Sequence, residues 1–215
     1  MMATVEQEVF PEVRLLLRGV PWETYVALRD LECNNHVFMT YDRGTLELMS
    51  PSGQRDNVKT LIGQLVEAFA TELNIPRRSF GSTTWRQSDL FKGLEADECY
   101  YLRNHRLVSH RALVELGHEP PPDLAIEVVV HHGDVDKMAI YAALGIGEVW
   151  YWHDGALQAS VLNDSGQYVA SEMSWNFPML RVKDLEQFLD VEQALDESAW
   201  LNAFRAWVRE RFATA

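Results

Sequence analysis

The sequence predicts an α/β (α+β) protein in which a mixed central β-sheet is flanked by helices. Three features predict it: a strong helical period over 58–73, the apolar segment DLAIEVVV at 123–130, and three β-prone segments over 148–172. The apolar segment follows three consecutive prolines and carries only two carboxylates. Such a segment is typical of a strand buried on both faces, so we place it at the centre of the sheet.

Local patterns predict the other elements. In chain order they are a helix over 21–32, two strands within 36–50 around an Asp-Arg-Gly turn, a strand over 94–102, a helix over 136–144 that ends at Gly145, and a helix over about 192–212. The sequence has no internal repeat, low-complexity tract or linker. We therefore predict a single domain over residues 1–215, with a core at about 20–190 followed by the C-terminal helix.

Composition narrows the class of protein. Hydrophobic residues make up 47% of the chain and charged residues 24%, which is enough apolar material for a packed core. The N-terminal segment contains acids and no long apolar run, which predicts neither a signal peptide nor a membrane span. Cys33 and Cys99 are too few for a disulfide framework. We expect both to be reduced and the protein to be cytoplasmic.

The formal net charge of −13 argues against a protein that coats nucleic acid, because such binding relies on Lys and Arg against phosphates. The charge is uneven, however: residues 77–111 carry seven Lys or Arg against four acids. Within that stretch the run RNHRLVSHR at 103–111 is the best candidate for a phosphate contact. A solvated surface helix explains this run nearly as well.

Carboxylates in two predicted strands are candidate site residues. Asp123 and Glu127 are four residues apart, so both lie on the same side of their strand. At a strand entrance, a cap or salt bridge is the favoured interpretation of Asp123. Glu127 lies among aliphatic residues, where an ionised carboxylate is costly without a partner, which favours a function. Asp97 in the strand over 94–102 is the second candidate acid, although alone it is an ordinary edge-strand acid.

Lys137 lies early in the helix that follows the strand of Glu127. A lysine there is more often a solvated helix residue, but its long side chain can reach back to the carboxylates. Phosphodiester hydrolysis uses hard oxygen ligands for Mg²⁺ and a cation against the charge that develops on phosphorus. Two acids and a lysine meet both needs.

Four runs of the sequence, in this order, resemble the Uma-two family of bacterial restriction endonuclease-like proteins, within the PD-(D/E)XK nuclease superfamily. They are GTLELMSPSG, GSTTWRQSDLFKGLEADECYYL, PPDLAIEVVV and DKMAIYAALGIGEVWYW. The resemblance covers about 40–155, and more weakly extends to about 190. It implies a restriction endonuclease-like core and a Mg²⁺- or Mn²⁺-dependent endonuclease that acts on DNA.

The resemblance also implies site residues. The family's motif acid maps to Asp97, its second acid to Glu127 and its lysine to Lys137, with Glu47 as a further catalytic residue. Asp97 and Glu127 are the implied metal ligands, and we expect all four side chains to converge in one cleft. A catalytically inactive nuclease-fold module that serves in binding or assembly is the alternative from a different functional class.

The chain departs from the family pattern in several places. Val129 stands where the motif would place lysine, so Lys137 must act from the following helix. Ala96 replaces the proline that usually precedes the motif acid. The histidine that often follows the MSP run is replaced, and Asp56 is the residue nearest to its place.

Three weaker hypotheses come from the residues themselves. The cluster of His131, His132, Asp134 and Asp136 suggests a transition-metal site, but adjacent histidines on an extended chain point to opposite sides. Trp85 is a candidate for base stacking. The strands over 148–172 are rich in Trp and Tyr, which favours a homodimer, whereas a monomer would bury those aromatic residues in its own core.

Overall fold

Two β-sheets and five α-helices form the part of the chain that the structure, a computed structural model, describes: residues 12–111, 114, 116–131, 133–190 and 196–212. The helices are Trp22–Arg29 (α1), Gly53–Glu72 (α2), His105–Val108 (α3), Lys137–Ala143 (α4) and Glu197–Phe212 (α5). The strands are Val13–Arg18 (β1), Phe38–Asp42 (β2), Thr45–Ser50 (β3), Arg78–Ser79 (β4), Thr83–Gln87 (β5), Lys92–Ala96 (β6), Glu98–Tyr101 (β7), Leu124–Val129 (β8), Glu148–His153 (β9), Ala156–Leu162 (β10) and Tyr168–Ser171 (β11).

The strands form two sheets, whereas the sequence predicted one. The first has the order β1-β3-β2-β6-β5 and is antiparallel throughout. The second has the order β11-β10-β9-β8-β7-β4 and is mixed, because β8 and β9 run parallel. All six residues of β8 are buried. The prediction of a central strand at DLAIEVVV is therefore confirmed.

The chain passes from one sheet to the other at Asp97. The sequence predicted one continuous strand over 94–102, and this prediction was wrong: β6 ends at Ala96 in the first sheet, and β7 begins at Glu98 in the second. The amide N–H of Asp97 donates to the carbonyl of Ile126, at 3.2 Å. Residues on both sides of Asp97 keep a β-type pattern, so periodicity alone cannot reveal the change of sheet.

The helices predicted from periodicity are confirmed at α1, α2 and α4. The last of these is followed by Gly145 at φ 78°, a left-handed conformation that suits glycine at a helix end. The C-terminal helix begins at Glu197, and positions 192–195 of its predicted range lie outside the described residues. Strand β1 was not predicted. It pairs with β3 and brings Arg14 to the same region as Glu47.

Helices cover both faces of the second sheet. Side chains from α2 and α5, among them Phe69 and Phe204, pack with Ile126 and Trp150 in one core cluster. Side chains of α4 pack on the other face, in a cluster that also contains Trp85. No described helix is both long enough and apolar enough to cross a membrane.

Two sequence hypotheses concern individual residues, Trp85 and the two cysteines. Trp85 is 1% exposed, so the hypothesis that it stacks on a base was wrong. Its ring packs against Phe80 and Tyr101 in the protein core. Cys33 and Cys99 are both free, as the sequence predicted.

The contact between Gly93 and the Tyr25 ring tests the packing of β6 against α1. A Cβ atom on Gly93 would lie 2.9 Å from Cζ of Tyr25, a separation that forces atoms to move. We expect Gly93→Ala to lower the free energy of unfolding by about 1–3 kcal/mol, measured by urea denaturation. Gly53→Ala is the matched control, since a Cβ there meets no atom within 4 Å. Equal losses in the two variants would contradict this packing.

Candidate functional site

A cavity of about 370 Å³ lies at the C-terminal end of β8. Its walls come from β1, β3, β8, α4, β9 and β10 and from the segment that leads into α4. The lining residues are Arg14, Glu47, Glu127, Val129, His131, Gly133, Val135, Asp136, Lys137, Met138, Tyr151, Gln158 and Ser160. Three of the four predicted catalytic residues, Glu47, Glu127 and Lys137, thus share this cavity.

Glu127 is 1% exposed and accepts hydrogen bonds at both carboxylate oxygens. Its Oε1 accepts from Lys137 Nζ at 2.6 Å and from Arg55 Nη2 at 2.9 Å. Its Oε2 accepts from the Tyr141 hydroxyl at 2.8 Å. Burial raises the pKa of Glu127, but the charges of Lys137 and Arg55 outweigh burial and hold it below its usual value. Glu127 is therefore an ionised carboxylate at neutral pH.

Asp97 is fully buried and does not line the cavity. Arg55 donates to it through two nitrogens, Nε to Oδ1 at 3.0 Å and Nη2 to Oδ2 at 2.8 Å. The amide of Val128 also donates to Oδ2, at 2.7 Å. Burial raises the pKa of Asp97 to about 6, with Arg55 acting against burial and the nearby Glu127 adding to it. Asp97 therefore fixes the end of β8 and orients Arg55.

Arg55 links the two acids and was missed by the sequence analysis. It lies in the first turn of α2, is fully buried, and its Nη2 contacts both Asp97 and Glu127. Burial lowers its pKa, but the two carboxylates outweigh burial and raise it. Asp56, the residue nearest to the place of the family's histidine after the MSP run, is exposed. A cation in the first helical turn opposes the helix dipole, which was the one available indication that Arg55 has acidic partners.

Glu47 lines the same cavity from β3 and forms an ion pair with Arg14. It is 3% exposed, and its Oε1 accepts from Arg14 Nη1 at 2.6 Å. Its Oε2 accepts from the amide of Asp134 at 2.8 Å, and Arg14 Nη2 donates to the carbonyl of His131 at 2.9 Å. Glu47 therefore joins β3 to β1 and to the segment before α4, and it holds the Arg14 guanidinium on the cavity wall.

The structure brings the four predicted residues into one region of the molecule. Asp97, Glu127 and Lys137 belong to a single hydrogen-bonded network through Arg55, whereas Glu47 reaches the same cavity through Arg14. Lys137 lies at the first position of α4, and Asp136 accepts from the amide of Ala139 as the helix cap. The helix start therefore directs the lysine back towards β8, as the sequence argument required. The catalytic roles of the four residues stay predictions.

The arrangement does not fit a divalent cation between Asp97 and Glu127. Every oxygen of the two carboxylates accepts at least one hydrogen bond from the protein, and a guanidinium nitrogen lies between them. Among the described residues, no group of three or more His, Cys, Asp or Glu side chains is arranged to hold a metal ion. This includes His131, Asp134 and Asp136, while His132 lies outside the described residues.

Asp123 has the structural role that the sequence favoured. Its carboxylate accepts from the amides of Leu102 and Asn104, at 2.7 and 3.0 Å. It directly precedes β8, and Glu127, the first cavity-lining residue of that strand, is four positions further on, about 13 Å along an extended chain. The basic run over 103–111 begins beside Asp123, at the end of β8 that is remote from the cavity. Arg103 packs on the Trp175 ring at 3.3 Å, and none of the run's described residues lines the cavity.

Comparisons with known proteins place the chain in a family and identify a solved structure with a similar fold. The sequence matches the Uma2 family, described as "Putative restriction endonuclease", over residues 22–202. The chain belongs to the Uma2 family. A solved structure from Anabaena variabilis, titled a "putative nuclease belonging to DUF820", aligns with a TM-score of 0.54 and 12% identity, over 80% of this chain and 99% of that one. A search of curated proteins gave no match.

Membership of the Uma2 family confirms the resemblance seen in the sequence. The solved neighbour shares the fold, so the restriction endonuclease-like architecture expected from the sequence is also confirmed. At 12% identity that likeness speaks for the fold alone. What the Uma2 site does must be argued from its own residues.

The hydroxyl of Tyr141 provides a direct test of the network. Tyr141→Phe removes the donor to Glu127 Oε2, and we expect it to lower the free energy of unfolding by about 1.5–3 kcal/mol, because the acceptor is charged and buried. Tyr25→Phe is the matched control: the Tyr25 hydroxyl is also buried, and it has no hydrogen-bond partner among the described residues. Urea denaturation of both variants should give a clear loss only for Tyr141→Phe. Similar losses would contradict the assigned hydrogen bond.

Proposed function

We propose that this Uma2 protein is an endonuclease that hydrolyses phosphodiester bonds in DNA at the cavity beside β8. The observation that carries the proposal is the ion pair on the cavity wall, in which Lys137 Nζ lies 2.6 Å from Oε1 of the ionised Glu127. Lys137 and Arg14 together give an otherwise acidic chain two cationic side chains at one concave site. Family membership supports the same reaction class.

Each residue has a proposed role in this reaction. Lys137 is the cation that faces the developing charge on the phosphate, and Glu127 both fixes its position and accepts a proton from the water that attacks phosphorus. The P–O bond to the leaving sugar oxygen breaks, and that oxygen takes up a proton from solvent water. Arg14, held by Glu47, binds a second phosphate oxygen. Asp97 is a positioning residue, because it has no exposed surface and acts through Arg55.

Mg²⁺ or Mn²⁺ is the cofactor that the family implies. Bound at a nuclease centre, such an ion supplies counter-charge and an activated water. Arg55, Lys137 and Tyr141 already donate hydrogen bonds to the carboxylate oxygens of Asp97 and Glu127 that would bind the ion. We therefore assign no step of the reaction to a metal ion.

A second candidate function is a nuclease-fold module that binds nucleic acid or a partner without cleaving. The observation that favours it is the position of Arg55, which neutralises the two acids that the sequence predicted as metal ligands. In such a module Arg14 and Lys137 would still bind phosphate, whereas bond cleavage would be absent.

A plasmid-nicking assay tests the nuclease proposal. Supercoiled DNA is incubated with wild type, Lys137→Ala and Glu127→Gln in separate buffers with Mg²⁺ and with Mn²⁺, so that no result depends on a missing ion. We expect the wild type to nick the plasmid and Lys137→Ala to lose about 10²-fold or more in rate, because the variant loses its cation at the transition state. Lys183→Ala, which removes an exposed lysine outside the cavity, is the matched control and should keep the wild-type rate.

The outcomes separate the two functions. Equal rates for Lys137→Ala, Glu127→Gln and Lys183→Ala would contradict the proposed catalytic roles. Absence of nicking by the wild type, together with binding to the same DNA that Lys137→Ala weakens, would establish the non-cleaving module instead.

We also propose that the chain forms a homodimer, through the edge strand β11 and the segment after it. Trp150 and Trp152 are buried in the chain's own core, so they no longer support a dimer. The support comes instead from exposed apolar side chains near this edge, namely Val169, Met173, Trp175 and Met179, which are 38–54% exposed. Light scattering should give about twice the chain mass of 24.7 kDa, and a particle of 24.7 kDa would contradict the dimer.

A further inference from the structure

The Arg55 guanidinium occupies the space between the two acidic side chains. Its Nη2 lies 2.8 Å from Asp97 Oδ2 and 2.9 Å from Glu127 Oε1. A Mg²⁺ ion lies about 2.0–2.1 Å from its oxygen ligands, so an ion placed between the two carboxylates would compete with Nη2 for the same space. We infer that Arg55 takes the place of a divalent ion, so that the wild-type chain does not take up Mg²⁺ or Mn²⁺ at this centre and gains a metal site when the guanidinium is removed.

The local charges support this inference. Four carboxylates, from Glu12, Glu47, Asp97 and Glu127, face three cationic side chains in one connected set of ion pairs. Those cations are Arg14, Arg55 and Lys137. Arg55 forms ion pairs with three of the four acids, with N–O distances of 2.8 Å to Asp97, 2.9 Å to Glu127 and 3.8 Å to Glu12. Removing Arg55 leaves four acids and two cations, an excess of negative charge that favours a divalent ion.

The burial of Arg55 explains why a metal ion would not simply displace it. The side chain is fully buried and is bound to Asp97 through two nitrogens, which fixes its plane. It also starts from the first turn of α2, next to the Ser52 cap, so the backbone beneath it is anchored. Moving the guanidinium away would leave two buried carboxylates without their main partner, which is strongly unfavourable.

Lys137 cannot fill the same role. Its ammonium contacts Glu127 but has no hydrogen bond to Asp97, and it is partly exposed on the cavity side. Removing Lys137 subtracts the same unit of charge as removing Arg55, yet leaves the guanidinium between the acids. Lys137→Ala is therefore the charge-matched control for Arg55→Ala.

Titration with Mn²⁺ alone, followed by electron paramagnetic resonance, tests the inference without DNA. We expect Arg55→Ala to bind one Mn²⁺ about tenfold or more tightly than the wild type or Lys137→Ala, because only in this variant can one ion reach both carboxylates. Mg²⁺ should displace Mn²⁺ from this site. The double variant Arg55→Ala with Asp97→Asn should no longer bind the Mn²⁺ ion. Mn²⁺ should also raise the Tm of Arg55→Ala and leave that of the wild type unchanged.

Two results would overturn the inference. One is a wild-type chain that binds a Mn²⁺ ion which Asp97→Asn abolishes. The other is an Arg55→Ala variant that binds Mn²⁺ no more tightly than Lys137→Ala. If Arg55→Ala does not fold in metal-free buffer, refolding with Mn²⁺ replaces the titration: recovery of the folded chain supports the inference, and failure to recover it counts against it. None of these results depends on nicking activity, so they are separate from the test of the nuclease proposal.

Discussion

The buried ion pairs of Arg55 with Asp97 and Glu127 are the interaction on which the rest of the structure depends. They connect α2, the junction between the two sheets and the central strand β8, three parts of the chain that are far apart in sequence. Buried charges of this kind persist only when they are paired and hydrogen-bonded. The requirement to satisfy all three side chains at once therefore fixes how α2 lies on the second sheet and where the chain crosses between sheets.

Local sequence patterns were sufficient to predict most of the helices and strands and part of the candidate site. Glu127 stood out because an acid in an aliphatic strand needs a partner, and Lys137 because the helix after that strand begins beside its end. Both arguments use neighbours within about ten positions of each other, a range in which turn and helix geometry constrain distance. The placement of Asp97 and Glu47 rested on the family resemblance, since neither residue is unusual in its own segment.

The features that sequence reasoning missed all depend on contacts between distant segments. Arg55 is 42 positions from Asp97 and 72 from Glu127, and Arg14 is 33 positions from Glu47. Asp56, the residue noted after the MSP run, is exposed, whereas Arg55, one residue before it, is buried. On a helix with about 3.6 residues per turn, that step rotates a side chain by about 100°, from the sheet towards solvent. Periodicity also could not divide the segment over 94–102, because both halves are β-type.

The single residue between β6 and β7 has a consequence for how this chain can vary in evolution. An insertion or deletion at this junction would change the register of one sheet relative to the other, and a shift of one residue turns every following side chain of a strand to the opposite face. Glu98, Cys99 and Tyr100 would then exchange faces, and the carboxylate of Asp97 would leave Arg55. Length changes can be absorbed where the chain runs outside the sheets, as it does over 103–111 and 116–123. The chain length from Ala96 to Glu98 is therefore tied to the register of both sheets at once.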